Sequence, residues 1–288
     1  MIPDNQTRIL GVMGETLAHS KSPLMHNSAA RELGLNYVYL AFEIKPGNLA
    51  QAVAALRVLN IRGVNVTIPY KEAVLPFLDE LSDTAAACGA VNLIINHQGC
   101  LKGYNTDGWG FVRSLQEEGI KIRGRALFIG AGGAAKSIAY ALACSGIKEM
   151  VFLDLSAGKA RETATAIETQ CDCSSRAEAI NDEKAAYYGE QADFIINTSP
   201  VGMYPQEQET PMKEEFVNRV KPGTVLCDII YNPLETRFLR YGRARGLKTV
   251  NGLGMFVFQG ALSFEHFTGQ SPPVEYMKAV VYNSLVQK

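Results

Sequence analysis

The sequence predicts an α/β protein whose second half opens a doubly wound, dinucleotide-binding domain. Short apolar runs alternate with helical patterns along all 288 residues, the signature of strands and helices packed in layers. One strand-to-helix turn, Gly130-Ala-Gly-Gly-Ala-Ala135, carries the G-x-G-x-x-(G/A) spacing. The apolar fraction of 47% is ample for buried cores, whether in one large domain or two moderate ones.

The first part begins with a short buried strand over 9–12. Its following loop holds His19-Ser-Lys-Ser-Pro23. Pro23 suits the first position of a helix and Ser22 the N-cap before it. The hydroxyls of Ser20 and Ser22 also make a neutral cradle for a carboxylate beside a helix start, and both readings stand. Residues 37–44 alternate as a strand, and 46–59 read as a helix. In Val64-Asn-Val-Thr-Ile68 the apolar residues share one strand face. Asn65 and Thr67 take the other, toward a polar pocket or water.

A helix is expected from Pro69 to Leu81, with Lys71 at its first turn. The helix dipole and partial burial both disfavour a cation there, which suits a proton-transfer role; a solvated lysine is the plainer alternative. Residues 89–96 form a strand, His97-Gln-Gly99 a hairpin turn, and a short strand ends at Tyr104. Asp107 opens a helix to about residue 118. It reads as an N-cap, or as an ionised carboxylate able to accept a hydroxyl hydrogen bond.

Residues 119–124 mark the edge of the second domain. Apolar residues 126–129 lead into the glycine turn. Gly130 permits the tight bend, Gly132 lets backbone N–H groups approach a pyrophosphate, and Ala135 lets helix and strand pack closely. Asp154 ends the next strand, where a ribose hydroxyl would be met. A helix covers 157–169, while 171–189 is polar and without clear periodicity. A buried strand begins at Ala192 and reaches Asn197-Thr198-Ser199. Another spans 223–230 and precedes Tyr231-Asn-Pro233. A helix over 235–245, a strand over 248–250 and two helices, to about 267 and over 273–285, complete the chain.

Lys plus Arg total 28 and Asp plus Glu 29, which argues against nucleic acid or an anionic membrane as the main partner. There is no signal-peptide pattern and no bilayer-length apolar run. Six scattered cysteines and four dispersed histidines predict reduced thiols, no metal and a cytoplasmic location.

Eight segments together resemble the shikimate dehydrogenases over essentially the full length. They are His19–Pro23, Asn65-Val-Thr-Ile-Pro-Tyr-Lys71, Gly89-Ala-Val-Asn92, Asn105-Thr-Asp-Gly108, Gly130–Ala134, Asn197-Thr-Ser, Tyr231-Asn-Pro233 and Gly252-Leu-Gly-Met-Phe-Val-Phe-Gln259. The resemblance implies reversible, nicotinamide-dependent reduction of 3-dehydroshikimate to shikimate in aromatic amino acid (chorismate) biosynthesis. It implies a substrate-binding α/β domain of residues 1–106 and 253–288, and a Rossmann-like domain of residues 107–252. The last helices return to the first domain, and the active site lies in the cleft.

By the same resemblance Ser20 and Ser22 bind the substrate carboxylate, with Tyr231 near it. Thr67, Lys71, Asn92, Asp107 and Gln259 hold the ring hydroxyls. Lys71 is the acid/base, with Asp107 on the same substrate edge; that carboxylate would raise the lysine pKa against the two lowering effects. Gly130, Ala131, Gly132, Gly133, Ala134, Ala135, Asp154, Thr198, Ile229 and Gly252 contact the cofactor.

NADP-dependent relatives usually carry Asn-Arg-(Ser/Thr) where this chain has Asp154-Leu155-Ser156. An aspartate repels a 2′-phosphate and suits a free 2′-hydroxyl, as in the NAD-using quinate/shikimate branch. The cofactor is therefore NAD or NADP, with NAD expected to be preferred; Lys159 and Arg161 remain as cations for a phosphate. The partner is a small molecule, shikimate with quinate as a possible addition, and the chain a monomer or homodimer. A ligand-binding sensor without turnover is the alternative from another class, disfavoured by the presence of both Lys71 and Asp107.

Overall fold

In the first sheet the central strands are buried and the two edge strands are more exposed. The computed structural model describes residues 2–287. One compact unit holds the residues up to Asp107 together with those from Val257 onward, and the other is Gly108–Phe256.

The first unit contains β1 (Arg8–Gly14), α1 (Ser22–Glu32), β2 (Tyr37–Glu43), α2 (Leu49–Val58), β3 (Gly63–Val66) and α3 (Tyr70–Ala73). A 3-10 turn (Leu75–Phe77), β4 (Glu80–Leu81), α4 (Asp83–Cys88), β5 (Leu93–His97) and β6 (Cys100–Tyr104) follow. The sheet order is β2-β1-β3-β5-β6-β4. β1 runs parallel to β2 and β3, and β5 antiparallel to β3 and β6. Val64 and Val66 pack with Met13, Val53, Leu56 and Ile94 on one face. Leu10, Val12, Tyr39, Leu93, Ile95 and Phe267 fill the other. The C-terminal part of α11 (Gly252–Thr268) belongs to this unit, and α12 (Val274–Val286) packs on α1.

Several expected elements are corrected. The helix expected over 69–81 breaks after Ala73 because Pro76 removes an N–H and clashes with the preceding turn. α2 starts at Leu49 rather than residue 46, since Gly47 has φ +89°. Ser22 is the first residue of α1 and not its N-cap; Lys21 takes that position, and Ser20 Oγ accepts the Ser22 N–H at 3.3 Å. The hairpin at 97–99 has Gln98 at φ +56° and Gly99 at φ +99°, the left-handed pair a two-residue turn requires.

The second unit opens within α5 (Asp107–Glu117), whose first residue belongs to the first unit. It comprises β7 (Gly124–Ile129), α6 (Gly133–Cys144), β8 (Ile147–Asp154), α7 (Ala157–Gln170), β9 (Ser174–Ala179) and α8 (Asp182–Gly189). It continues with β10 (Phe194–Asn197), α9 (Glu214–Val217), β11 (Val225–Asp228), α10 (Arg237–Ala244) and β12 (Lys248–Val250). Its sheet, β12-β11-β10-β7-β8-β9, is parallel throughout. The order reverses between β7 and β10, the doubly wound switch point where ligands bind at strand carboxyl ends. Apolar clusters cover both faces. β9 and α8 occupy the stretch left unassigned; β9 reads Ser-Ser-Arg-Ala-Glu-Ala on the sheet edge and so lacks an apolar pattern. Among the described residues no helix is long and apolar enough to cross a membrane.

Candidate functional site

The polar residues of the first unit converge where β3 and β6 end and the antiparallel β5 begins. The short helix α3 presents Lys71, whose carbonyl accepts the Val91 N–H at 2.8 Å. The chain turns from β6 into α5 at Asn105-Thr-Asp107. Asn105 pins this turn, its Nδ2 donating to Ala90 O at 2.8 Å and its Oδ1 accepting the Asp107 N–H at 3.1 Å. Lys71 Nζ meets Asp107 Oδ2 at 2.5 Å, with side-chain exposures of 18% and 6%. The lysine is therefore open on one side, while the carboxylate is enclosed.

Asn92 completes the group. Its Nδ2 lies 2.7 Å from Asp107 Oδ1, 2.9 Å from Thr106 Oγ1 and 3.4 Å from Gln259 Oε1. An amide has two protons, and the two shorter bonds take them. The Asn92 Oδ1 accepts the Thr106 N–H at 2.8 Å. Both oxygens of Asp107 are thus engaged by Lys71 and Asn92 rather than by a capping bond.

Thr67 follows β3 half-buried, in a turn where its carbonyl accepts the Tyr70 N–H at 3.0 Å. Ser20 and the buried Ser22 stand together at the start of α1. The structure brings Lys71, Asp107, Asn92 and Gln259 into one hydrogen-bonded group, and Ser20, Ser22 and Thr67 belong to the same unit. Asn65, expected to face a polar pocket or water, is buried in hydrogen bonds to Tyr39, Asn92 and Ser263. Thr106, Tyr39 and Ser263 were not singled out from sequence; only Thr106 lies within a motif.

In the second unit the glycine turn has the shape a diphosphate needs. Gly130 has φ +103°, and a Cβ there would meet Ser199 N at 2.9 Å. A Cβ on Gly132 would meet nothing within 4 Å, so its outer side is open. Gly132 is the N-cap of α6 without a side-chain bond, and Gly133 and Ala134 occupy the uncapped first turn. Such a turn offers unpaired N–H groups to an anion. Ala135 is fully buried in the core below.

Asp154 at the end of β8 grips this turn, Oδ2 accepting the Ala131 N–H and Oδ1 the Ser156 N–H, each at 2.9 Å. The remaining lone pairs suit ribose hydroxyls. Leu155 beside it is 92% exposed. Across the switch point Thr198 Oγ1 donates toward Gly130 O at 2.8 Å. Gly252 lies against the β11 loop, where a Cβ would meet Ile229 O at 2.1 Å. Tyr231 stacks on Phe256 with ring centroids 4.4 Å apart. These residues therefore fit a dinucleotide. Below them Asp228, buried at the end of β11, accepts from Thr236 Oγ1 at 2.7 Å, and from Asn197 Nδ2 and the Ile230 N–H at 3.1 Å. Burial nevertheless pushes its carboxyl up to about 7. Among the described residues no three His, Cys, Asp or Glu side chains are grouped to hold a metal ion.

Comparison with known proteins points to one family. A family model described as the shikimate dehydrogenase substrate binding domain matches residues 12–94. A second, the shikimate 5'-dehydrogenase C-terminal domain, matches residues 252–282. The chain is 52% identical over 285 residues to the shikimate dehydrogenase (NADP(+)) of Syntrophomonas wolfei, covering 99% of this chain and 98% of that one. A solved shikimate dehydrogenase in complex with NADP+ superposes with a TM-score of 0.89 at 36% identity, covering 99% and 98% of the two chains. Shikimate 5-dehydrogenase from Listeria monocytogenes, solved with shikimate and NAD, gives 0.87 at 36% identity and covers 97% and 98%.

Proposed function

The chain belongs to the shikimate dehydrogenase family, and we propose that it interconverts 3-dehydroshikimate and shikimate through Lys71 and Asp107. The observation that carries this reading is the Lys71–Asp107 contact at 2.5 Å, buttressed by Asn92 and open on the lysine side. Bound nicotinamide dinucleotide supplies or accepts the hydride. In the reducing direction the Lys71 ammonium gives its proton to the forming alkoxide, and in the oxidising direction the amine takes it back. Asp107, enclosed beside the lysine, accepts a hydrogen bond from the neighbouring ring hydroxyl while holding the ammonium in place. Asn92, Thr67 and Gln259 orient the other ring hydroxyls, and the Ser20 and Ser22 hydroxyls take the carboxylate, with Tyr231 near it. The intact Lys71–Asp107 pair argues against a sensor without turnover.

The residues proposed for the cofactor are Gly130, Ala131, Gly132, Gly133, Ala134, Ala135, Asp154, Thr198, Ile229 and Gly252. NAD is the preferred form in this reading. Asp154 sets a carboxylate at the ribose position, and the exposed Leu155 offers a 2′-phosphate no cation. The curated relative's NADP(+) name stands against this preference, which makes the measurement decisive. The protein is proposed to act in the cytoplasm, as a monomer or homodimer.

One assay tests activity, substrate and cofactor together: nicotinamide absorbance with shikimate or quinate, each with NAD or NADP. Turnover of shikimate with the higher kcat/KM for NAD is expected, and quinate is at most the slower substrate. Absence of turnover in every combination overturns the reading. An equal or higher kcat/KM with NADP overturns the cofactor preference alone.

A further inference from the structure

Behind the Lys71–Asp107 pair lies a second set of polar side chains inside an otherwise apolar layer. Asn65, in the middle of β3, is 7% exposed among residues such as Val12, Leu93 and Phe267. Its amide is fully used. Nδ2 donates to Ser263 Oγ at 2.9 Å and to the Asn92 carbonyl at 3.1 Å, and Oδ1 accepts the Tyr39 hydroxyl at 2.8 Å. The Asn92 carbonyl can only accept, so the amide has one orientation and Tyr39 must be the donor.

Ser263 is fully buried on α11. Its hydroxyl donates to the Gln259 carbonyl at 2.9 Å and lies 3.3 Å from Thr106 Oγ1. Thr106 Oγ1 accepts Asn92 Nδ2, the nitrogen that also donates to Asp107. Tyr39 is clamped by His26, stacked on it with centroids 4.3 Å apart and planes 5° from parallel.

We infer that Tyr39 and Ser263 are positioning residues for the acid/base pair. Tyr39 and Ser263 fix Asn65; Ser263 and Asn65 fix Thr106 and Asn92; and Asn92 fixes the carboxylate that holds Lys71. Neither Tyr39 nor Ser263 touches Lys71 or Asp107, so both act through the intervening amides. Burying this many polar groups is costly unless every one is paired. An alanine and a valine in place of Ser263 and Asn65 would pack the same layer without that requirement. The chain of bonds runs from β2 through β3, α11 and Asn92 before β5 to the start of α5, joining five segments at Asp107. Placement of Asp107 to within a fraction of an ångström is what proton transfer from Lys71 demands.

The inference rests on the proposed dehydrogenase reading, and the test separates the two. Ser263→Ala and Tyr39→Phe each delete one oxygen and leave the apolar shape. Both variants and the double variant are assayed with shikimate and the preferred cofactor, each at saturation. Ser263→Ala is expected to lower kcat about five- to thirty-fold, the factor that one or two kcal/mol of lost positioning represents, with the KM for shikimate within about twofold. Tyr39 also lies beside Ser22, so Tyr39→Phe is read on kcat alone, with a loss of the same order. The double variant is expected to lose little more than the worse single variant, because both cut one network.

A purely structural role would lower the melting temperature and leave kcat per folded enzyme unchanged. Unchanged kcat in either single variant, or losses that multiply in the double variant, would overturn the inference while leaving the activity established. A rise in KM without a fall in kcat for Ser263→Ala would also overturn it. Wild-type enzyme without turnover would overturn both.

Discussion

The Lys71–Asp107 pair allows stability and catalysis to be separated by substitution. Breaking a buried ion pair from one side strands the other charge, at about 3–5 kcal/mol when both partners are enclosed. Here the two sides differ. Lys71 is 18% exposed and can turn toward water, so Asp107→Ala should cost about 2–3 kcal/mol. Lys71→Ala strands a carboxylate only 6% exposed, but Asn92 still donates to it at 2.7 Å. Its cost should be about 3 kcal/mol. Removing both charges strands neither, and the double variant should lose only about 1–2 kcal/mol, less than either single change. Activity should behave in the opposite way. Without the lysine the alkoxide has no proton donor, and kcat should fall about 10²–10⁴-fold in Lys71→Ala and in the double variant alike. Urea unfolding monitored by circular dichroism and steady-state kinetics on the same preparations provide the check. A double variant destabilised by the sum of the single effects would refute the ion-pair argument. A Lys71→Ala enzyme within tenfold of wild-type kcat would refute the proton-transfer role.

Leu155→Arg should raise kcat/KM for NADP about tenfold or more relative to NAD, because it sets a guanidinium at a fully accessible position beside Asp154, the carboxylate proposed to meet the ribose; an unchanged ratio counts against this placement of the 2′ position. Gly132→Ala should raise the KM for the dinucleotide about tenfold at unchanged melting temperature, since its φ is −82° and a Cβ there meets nothing within 4 Å of protein; an unaltered KM would show that the ligand does not approach this atom. Asp228, pushed up to about 7 by burial from 3.8, keeps its proton when folded over a range where the unfolded chain has lost it. Stability should therefore fall as pH rises from about 4 to 7, by up to about 4 kcal/mol, and Asp228→Asn should remove that slope in a urea series. His26 has the opposite sign: burial holds it down at about 3 from 6.5, so its contribution is complete above pH 6.5 and is lost as pH falls toward 3. His26→Phe should flatten that acid limb and expose the slope due to Asp228.

The two units differ in how much of them can be read from a linear sequence, and the difference is one of range. The dinucleotide half is built from local pieces. A strand, the Gly130–Ala135 turn, a helix and the Asp154 strand end lie within about thirty residues, as the βαβ unit requires, and the turn's conformation is demanded by φ +103° at Gly130. β9 escaped because an edge strand of small and charged residues has no buried face to advertise. In the first unit, local rules place elements but not their ends. Pro76 outweighed the helical pattern of 69–81, and Lys21 rather than Ser22 took the cap of α1.

Its polar group is less legible still. Lys71 and Asp107 lie 36 positions apart, and Asn65 and Ser263 lie 198 apart. Motif resemblance could nominate Lys71, Asp107, Asn92 and Gln259 together, but no periodicity could pair them. Tyr39 and Asn65 meet because β2 and β3 flank β1 in a register that sets Leu10 opposite Tyr39 and Val12 opposite Asn65. A one-residue slip of either strand would turn the side chain to the other face. Alternation along β3 says only that Asn65 shares a face with Thr67. The register decides that this face carries a buried amide with one permitted orientation. That orientation links the apolar core to the carboxylate beside Lys71.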